Sequence, residues 1–175
     1  VLDEACRALS ALPEAVQLSV NLSGRQLLQP DFPDVLRKLL QTCRIEPSRL
    51  RLELTESMLI GNGALAMQAL QNLRATGVRL CIDDFGTGYS SLSYLHELPI
   101  DALKIDRSFI GAIGQDERKH KIVQSIILLG KGLGIEVVAE GVETAQQAEA
   151  LKQLGCERAQ GYYFSKALPL EQLVF

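Results

Sequence analysis

The sequence predicts an α/β fold, a parallel (β/α) barrel of the TIM type, from three observations. Strand-like and helical periods alternate along all 175 residues. Within the strand-like runs, apolar residues alternate with polar or ionisable ones. The ionisable residues occur where these runs end, and functional sites form at the C-terminal ends of parallel barrel strands.

The elements follow one another in a regular order. Strand-like runs cover residues 16–22, 50–55, 78–83, 102–105, 135–139 and 158–162, and helical patterns lie near residues 32–42, 64–75, 90–98, 119–130 and 144–154. In the helix at 64–75, Leu65, Met67, Leu70 and Leu73 recur at helical spacing, and Gly77 ends it. The repeated order predicts parallel strands with right-handed crossovers. No linker interrupts it, so residues 1–175 are expected to form one domain.

The alternation within the strands favours a closed barrel over an open doubly wound sheet. Central strands of an open sheet are covered on both faces and form continuous apolar runs. Arg51, Glu53 and Thr55 instead alternate with leucines, as on the polar inner face of a barrel mouth. A complete barrel has eight strands in about 250 residues. We therefore expect a modified TIM barrel that is incomplete here, with about six of eight strands present and the others upstream of Val1. The start within a helical pattern, without an initiating methionine, agrees with a fragment.

Composition argues against several classes of protein. The net charge is −3 and no Lys/Arg-rich run occurs, so binding of DNA or RNA is not expected. No apolar run reaches the roughly 18 residues of a membrane span, and the chain shows no signal peptide. The four cysteines (Cys6, Cys43, Cys81 and Cys156) lack metal-ligand spacing, which favours reduced thiols in a cytoplasmic protein.

Oxygen-bearing and ionisable side chains gather at the C-terminal parts of the strand-like runs. They are Asn21, Glu53, Asp83, Asp84, Lys104, Glu140 and Gln160. Carboxylates brought together are unfavourable unless cations compensate them, and an oxygen-only set favours Mg²⁺ or Mn²⁺ over zinc. Strand neighbours point to opposite faces, so Asp83 and Asp84 are expected to share a site only where the strand ends, at Gly86 and Gly88. Such a pair can bridge two metals about 3.5–4 Å apart for phosphoester hydrolysis.

Each of these residues has a purely structural alternative. Asp84 could cap the following turn, and the asparagine of the first run could cap the next helix. Glu140 and Glu143 could favour the N-terminus of a helix, and Glu53 with Lys104 could form a structural ion pair. None of these alternatives explains why every strand repeats the pattern.

Six segments resemble the signature motifs of the EAL family, in that family's order and at its usual separations. They are Ser-Val-Asn-Leu-Ser at 19–23, Leu-Glu-Leu-Thr-Glu-Ser at 52–57, Asp-Asp-Phe-Gly-Thr-Gly-Tyr-Ser-Ser-Leu at 83–92, Asp-Ala-Leu-Lys-Ile-Asp at 101–106, Ala-Glu-Gly-Val-Glu-Thr at 139–144 and Gln-Gly-Tyr-Tyr-Phe-Ser-Lys at 160–166. One such motif is weak evidence, whereas six in order are highly specific.

The resemblance implies a phosphodiesterase of bacterial signalling that opens cyclic di-GMP to linear pGpG with Mg²⁺ or Mn²⁺, on a modified TIM barrel that is often dimeric. It implies that Asn21, Glu53 and Asp83 bind a first metal and that Asp83 and Asp84 bind a second, with Gln160 contacting the metals through water. Lys104 and Glu140 would orient and activate the attacking water. Glu56 and Glu143 would support the Gly-rich loop. Besides cyclic di-GMP, the implied partners are a second copy of the chain and fused sensor or signalling domains, through which the parent could attach to a membrane.

One departure limits this reading. The family's namesake Glu-Ala-Leu motif on its first strand, whose glutamate binds the first metal, is absent and is expected some tens of residues before Val1. Two rival functions are an inactive cyclic di-GMP receptor and an unrelated Mg²⁺-dependent barrel enzyme, such as a lyase acting on a phosphorylated sugar. Degenerate receptors usually lose acids from the Asp-Asp or Glu-x-x-Glu positions, which this chain keeps.

Overall fold

Six parallel strands form one sheet in the structure, a computed structural model that describes residues 1–60, 63–88 and 95–173. The strands are β1 (Leu18–Asn21), β2 (Leu50–Thr55), β3 (Arg79–Phe85), β4 (Ala102–Ile105), β5 (Glu136–Ala139) and β6 (Arg158–Ala159). They pair in chain order, and every pair is parallel. This is the order and sense of strands in the wall of a TIM-type barrel.

Helices connect the strands. They are α1 (Leu2–Ser10), α2 (Gly24–Leu27), α3 (Phe32–Cys43), α4 (Ser57–Ile60), α5 (Gly63–Arg74), α6 (Arg107–Ile110), α7 (Glu117–Leu133) and α8 (Ala145–Gln153), with 3₁₀ turns at Pro47–Arg49 and Leu170–Gln172. Within the described ranges, none of these helices combines the length and the apolar character that crossing a bilayer requires. The tripeptide Glu149-Ala150-Leu151 lies on α8, so it is not the strand motif named above.

Local sequence signals explain where several helices begin and end. Ser23 caps α2 and Thr144 caps α8, each in a capping box with the glutamine three residues later. The side chain of Asp116 caps α7, and Gly134, at φ 68°, ends it in the left-handed conformation. These caps hold the loops between strand and helix, which carry much of the candidate site.

The two faces of the sheet differ as the alternation predicts. Leu50, Leu52 and Leu54 of β2 are fully buried in the apolar core that the strands share with the helices. The intervening Arg51 and Glu53 are also buried, at 9% and 7% exposure, but they contact polar side chains of other strands. Burial of charged groups is tolerated only when they are paired, and the most shielded ion pairs among the described residues lie on this inner face.

Several predicted elements differ from the structure in their bounds; for example, β1 spans Leu18–Asn21 where residues 16–22 were predicted. Strand β3 continues two residues further than predicted, to Phe85. Strand β6 pairs only over Arg158–Ala159, because a turn follows in which the carbonyl of Gly161 accepts the N–H groups of Phe164 and Ser165. The helix predicted at 90–98 falls mainly on residues 89–94, which lie outside the described residues.

Candidate active site

The ε-amine of Lys104 lies at the centre of a group of carboxylates. Its Nζ is 2.9 Å from Glu53 Oε2 on β2, 3.2 Å from Asp83 Oδ1 on β3 and 2.5 Å from Glu140 Oε1 directly after β5. Lys104 itself is on β4 and only 6% exposed. Because the strands are parallel and consecutive, their C-terminal ends meet at one edge, and the predicted residues converge there.

Acidic groups outnumber the cation at this edge. Asp83, Asp84 and Glu140 each offer a carboxylate oxygen, and these oxygens lie within 4.8 Å of one another. Together with Glu53 they make a cluster of four carboxylates, three of which contact the ammonium group of Lys104. Such an excess of negative charge is unfavourable without further cations, and oxygen donors are the ligands of hard divalent ions. The cluster therefore suits one or more divalent cations.

The backbone at Asp84 explains how two consecutive aspartates serve one site. Asp84 has φ 54°, in the left-handed region, and the pairing of β3 with β4 shifts between Ile82 and Phe85. The expectation that the strand ends at this pair is wrong: β3 continues through it, and the irregularity at Asp84 turns its side chain towards that of Asp83. The N–H of Asp84 donates to Asp83 Oδ1 at 3.0 Å, which fixes the first carboxylate.

Among the described residues, the side chain of Asp84 does not cap the following turn. The N–H and the hydroxyl of Thr87 bind the backbone carbonyl of Asp84 instead, at 3.3 and 2.8 Å. Its carboxylate is left for the acidic cluster, where burial and then the charges of Asp83 and Asp106 raise its pKa above the ordinary value.

Lys104 and Glu140 have shifted pKa values. Burial acts to lower the pKa of Lys104, but hydrogen bonds with Glu140 and Glu53 outweigh it and raise that pKa, so the amine is charged at neutral pH. Burial also raises the pKa of Glu140, although Lys104 opposes the shift, and the charges of Asp83 and Glu53 add to it. A carboxylate whose pKa is raised towards neutrality suits proton transfer.

Asn21 and Gln160 complete the row of predicted residues. Asn21 is an exposed residue paired in register with Glu53, and it is Ser23, not Asn21, that caps the next helix. Gln160 follows β6, and its Nε2 donates to Glu140 Oε1 at 2.5 Å. Gln160 thus contacts Glu140 directly. Its water-mediated contact with the metals stays a prediction.

Glu56 contacts the start of the Gly-rich loop. It is only 5% exposed, and its Oε2 accepts the N–H of Gly86 at 3.0 Å. A Cβ on Gly88 would lie 2.6 Å from Glu56 Oε1, so a side chain there would displace either the Glu56 carboxylate or the loop. Glu143 is placed differently: it is exposed, and its backbone N–H binds Gln147 at the start of α8. The rest of the loop motif, residues 89–92, lies outside the described residues.

The sequence motifs do not include a second polar layer beneath this site. There, Arg51 and Arg158 both bind Glu136, one residue at each carboxylate oxygen. Cys81 is in register with Glu53, and burial raises the pKa of its thiol to about 12. Arg51, Arg158 and Cys81 stand two residues before Glu53, Gln160 and Asp83, respectively. This period-two spacing places each of them on the same strand face as a predicted site residue, and it was the signal by which the sequence could have revealed them.

Comparison with known proteins gives consistent matches. The model of the family described as EAL domain matches residues 1–167. NbdA of Pseudomonas aeruginosa, named a cyclic di-GMP phosphodiesterase, is 45% identical over 177 residues, which are 99% of this chain and 23% of NbdA. The curated relatives are much longer than this chain, which spans 21–26% of the first four.

Solved structures share the fold. The MucR phosphodiesterase of Pseudomonas aeruginosa in complex with c-di-GMP is 43% identical and matches 99% of this chain and 72% of its own with a TM-score of 0.93. Klebsiella pneumoniae BlrP1 in a manganese and cyclic di-GMP complex is 35% identical and matches 94% of this chain and 42% of its own with a TM-score of 0.88. The predicted barrel class is thereby confirmed.

Proposed function

Because this chain belongs to the EAL domain family, we propose that it is the catalytic part of a phosphodiesterase that hydrolyses cyclic di-GMP to linear pGpG in bacterial signalling. The observation that carries the proposal is the convergence of Glu53, Asp83 and Glu140 on Lys104 at the C-terminal edge of the strands, with Asp84 beside Asp83 and Glu140. NbdA, similar over nearly the whole chain, is named for this activity, and the similar MucR structure contains the nucleotide.

The carboxylate cluster is proposed to hold two Mg²⁺ or Mn²⁺ ions. The first is assigned to Asn21, Glu53 and Asp83, the second to Asp83 and Asp84, and Gln160 contacts the shell through water. The support is the donor set itself, which contains only oxygen atoms, and the manganese present in the similar BlrP1 structure. When bound, the ions neutralise phosphate charge and lower the pKa of coordinated water.

The residues of the chain then position and deprotonate the attacking water. Glu140, whose pKa is raised by burial, would accept the proton of the water that attacks the phosphodiester; the bond from phosphorus to the 3′ oxygen breaks, and that oxygen leaves as a hydroxyl after taking a proton from solvent. The ammonium group of Lys104 holds Glu140 and Glu53 in place and offsets negative charge that develops on the phosphate. Gln160 fixes the orientation of Glu140 through its 2.5 Å hydrogen bond. Glu56 and Glu143 are assigned to the Gly-rich loop that follows Asp84.

A second copy of the chain is proposed to pack near this loop. A groove lined by Phe85, Ile122, Ile126 and Leu129 runs along α7, and Ile122 is 41% exposed. Phe85 follows Asp84 directly, so a partner in this groove would contact the strand that carries the metal ligands. Replacing Ile122 with Glu is expected to weaken self-association in sedimentation equilibrium. An unchanged dimer would contradict this assignment.

Further domains and a cytoplasmic location belong to the same proposal. The relatives are about four times longer than this chain, which supports fusion to sensor or other signalling domains. The four cysteines are free thiols, which supports a reducing compartment.

The test is hydrolysis of cyclic di-GMP by the native polypeptide that carries this sequence. With Mn²⁺ we expect pGpG as the product on chromatography, and loss of turnover by about a thousandfold or more in Glu53→Ala and Asp83→Ala. Glu117→Gln, an exposed change on α7, is the matched control and should leave turnover unchanged. Tight nucleotide binding without hydrolysis in the unaltered protein would refute the enzyme and favour the receptor.

A further inference from the structure

Glu136 forms two ion pairs in the lower layer of the inner face. Its Oε1 accepts from Arg51 Nη2 at 2.8 Å, and its Oε2 accepts from Arg158 Nε at 3.0 Å. The side chains of Arg51 and Glu136 are only 11% and 23% exposed, whereas that of Arg158 is 60% exposed. The pair of Arg51 with Glu136 is therefore the shielded contact of the cluster.

This contact crosses the inside of the sheet. Arg51 is on β2 and Glu136 on β5, and these strands are separated in the sheet by β3 and β4. A distance of 2.8 Å between their side chains requires the sheet to curl, so the ion pair fixes the separation of β2 from β5. Lys104 makes the corresponding connection at the upper level, between Glu53 and Glu140.

The strand period connects the two levels. Arg51 stands two residues before Glu53 on β2, and Glu136 stands four residues before Glu140, so each pair shares a face of its strand. Arg158 likewise precedes Gln160 by two residues. Glu136 thus joins the three strands that carry or lead to Glu53, Glu140 and Gln160.

We propose that Glu136 is a positioning residue, which sets the spacing of Glu53 and Glu140 by holding Arg51 and Arg158 and thereby tunes the affinity for divalent cations. The inference rests on the proposed function only in taking the upper cluster as the metal site. The upper carboxylates repel one another, so a restraint below them keeps the strands from separating. Residues that orient metal ligands in this indirect way typically change affinity by about 10–100-fold when replaced.

The charges of the lower layer explain why an uncharged residue cannot replace Glu136 without effect. Arg51 is paired in register with Arg79 on the neighbouring strand, so two guanidinium groups start from adjacent positions. The Nε of Arg51 is buried and has no hydrogen-bond partner among the described residues. Glu136 supplies the carboxylate that compensates this buried positive charge. Its amide equivalent would present an N–H group to one of the arginines.

The test measures Mn²⁺ binding directly, by electron paramagnetic resonance titration of the native polypeptide without nucleotide. We expect Glu136→Gln to bind Mn²⁺ about tenfold more weakly while circular dichroism shows it to be folded. Arg74→Met is the matched control: it breaks the ion pair of Arg74 with Asp101, which joins α5 to the start of β4 and does not cross the inner face. It should leave the affinity unchanged.

A double variant separates positioning from stability. Replacing Arg51 and Glu136 together with Leu removes the buried charges, which often restores stability, but also removes the restraint. We expect the double variant to match the unaltered protein in thermal stability but to bind Mn²⁺ more weakly than it does. The proposal would be overturned if Glu136→Gln bound Mn²⁺ as tightly as the unaltered protein does, or if the double variant recovered that Mn²⁺ affinity. Since no nucleotide is used, an unaltered protein that binds Mn²⁺ without hydrolysing cyclic di-GMP contradicts the proposed function alone.

Discussion

Replacing Lys104 with Met should destabilise the metal-free protein, and divalent cations should reverse much of the loss. The side chain of Lys104 is 7% exposed and contacts Glu53, Asp83 and Glu140, whose side chains are 8–15% exposed. Methionine preserves the length of the side chain and removes its charge. Three shielded carboxylates then face one another without a cation.

The size of the effect follows from this burial. Removing one partner of a buried ion pair costs about 3–5 kcal/mol, because an uncompensated charge remains. In a domain of this length, that loss lowers the midpoint of thermal unfolding by roughly 10 °C. Mn²⁺ at a hundredfold excess over its Kd returns about 2.7 kcal/mol. At the same Mn²⁺ concentration the gain should exceed that of the unaltered protein, because the ion replaces the missing ammonium group and therefore binds the variant more tightly. Hydrolysis should remain lost.

Thermal unfolding followed by circular dichroism, with and without Mn²⁺, measures these terms. Lys121→Met is the control, since it breaks an ion pair with Glu117 whose side chains are 68% and 82% exposed, worth at most about 1 kcal/mol. A Lys104→Met variant that unfolds within about 1 kcal/mol of the unaltered protein would refute the reasoning. So would a variant that gains less from Mn²⁺ than the unaltered protein does.

Three further predictions concern the same region. Gly88→Ala should lower turnover by about tenfold or more with little change in the unfolding midpoint, because its Cβ would lie 2.6 Å from Glu56 Oε1 and displace the Glu56 carboxylate or the loop; normal turnover would contradict the close approach. Mn²⁺ affinity in calorimetric titrations should fall as the pH is lowered from neutrality, since Glu140 and Asp84 have raised pKa values and protons compete with the metal; a flat profile would count against their roles. Burial raises the pKa of Cys81 to about 12, so its thiol should not react with a disulfide reagent at about pH 8 until the protein unfolds; rapid labelling of Cys81 in the folded protein would contradict its burial.

The strand pattern predicted the fold well because it reports burial directly. In β2, leucines alternate with Arg51, Glu53 and Thr55, and the structure buries the leucines against the helices and brings Arg51 and Glu53 into ionic contacts on the inner face. The strands at 50–55 and 102–105 have the predicted bounds. The last strand is shorter than predicted, since a short run of β-forming residues also fits the turn that begins at Gly161.

The backbone at Asp84 shows where pattern reasoning is insufficient. The sequence indicates that Asp83 and Asp84 act together, but period-two alternation places them on opposite faces. The left-handed conformation of Asp84 and the shifted register with β4 resolve this conflict inside the strand. A residue with a side chain adopts that conformation only when its surroundings impose it, and those surroundings come from β4 and from Glu56 binding the loop.

By itself the sequence determined the class of fold, the edge of the sheet at which the acidic cluster forms and the oxygen atoms that the cluster contains, because each depends on local periodicity and on residue identity. Only the tertiary structure decided that Lys104 lies among three carboxylates, that Gln160 binds Glu140 and that Glu136 connects β2 with β5. Those contacts join residues from separate strands. Their distances depend on how the sheet curls and how its strands align, which no local pattern encodes.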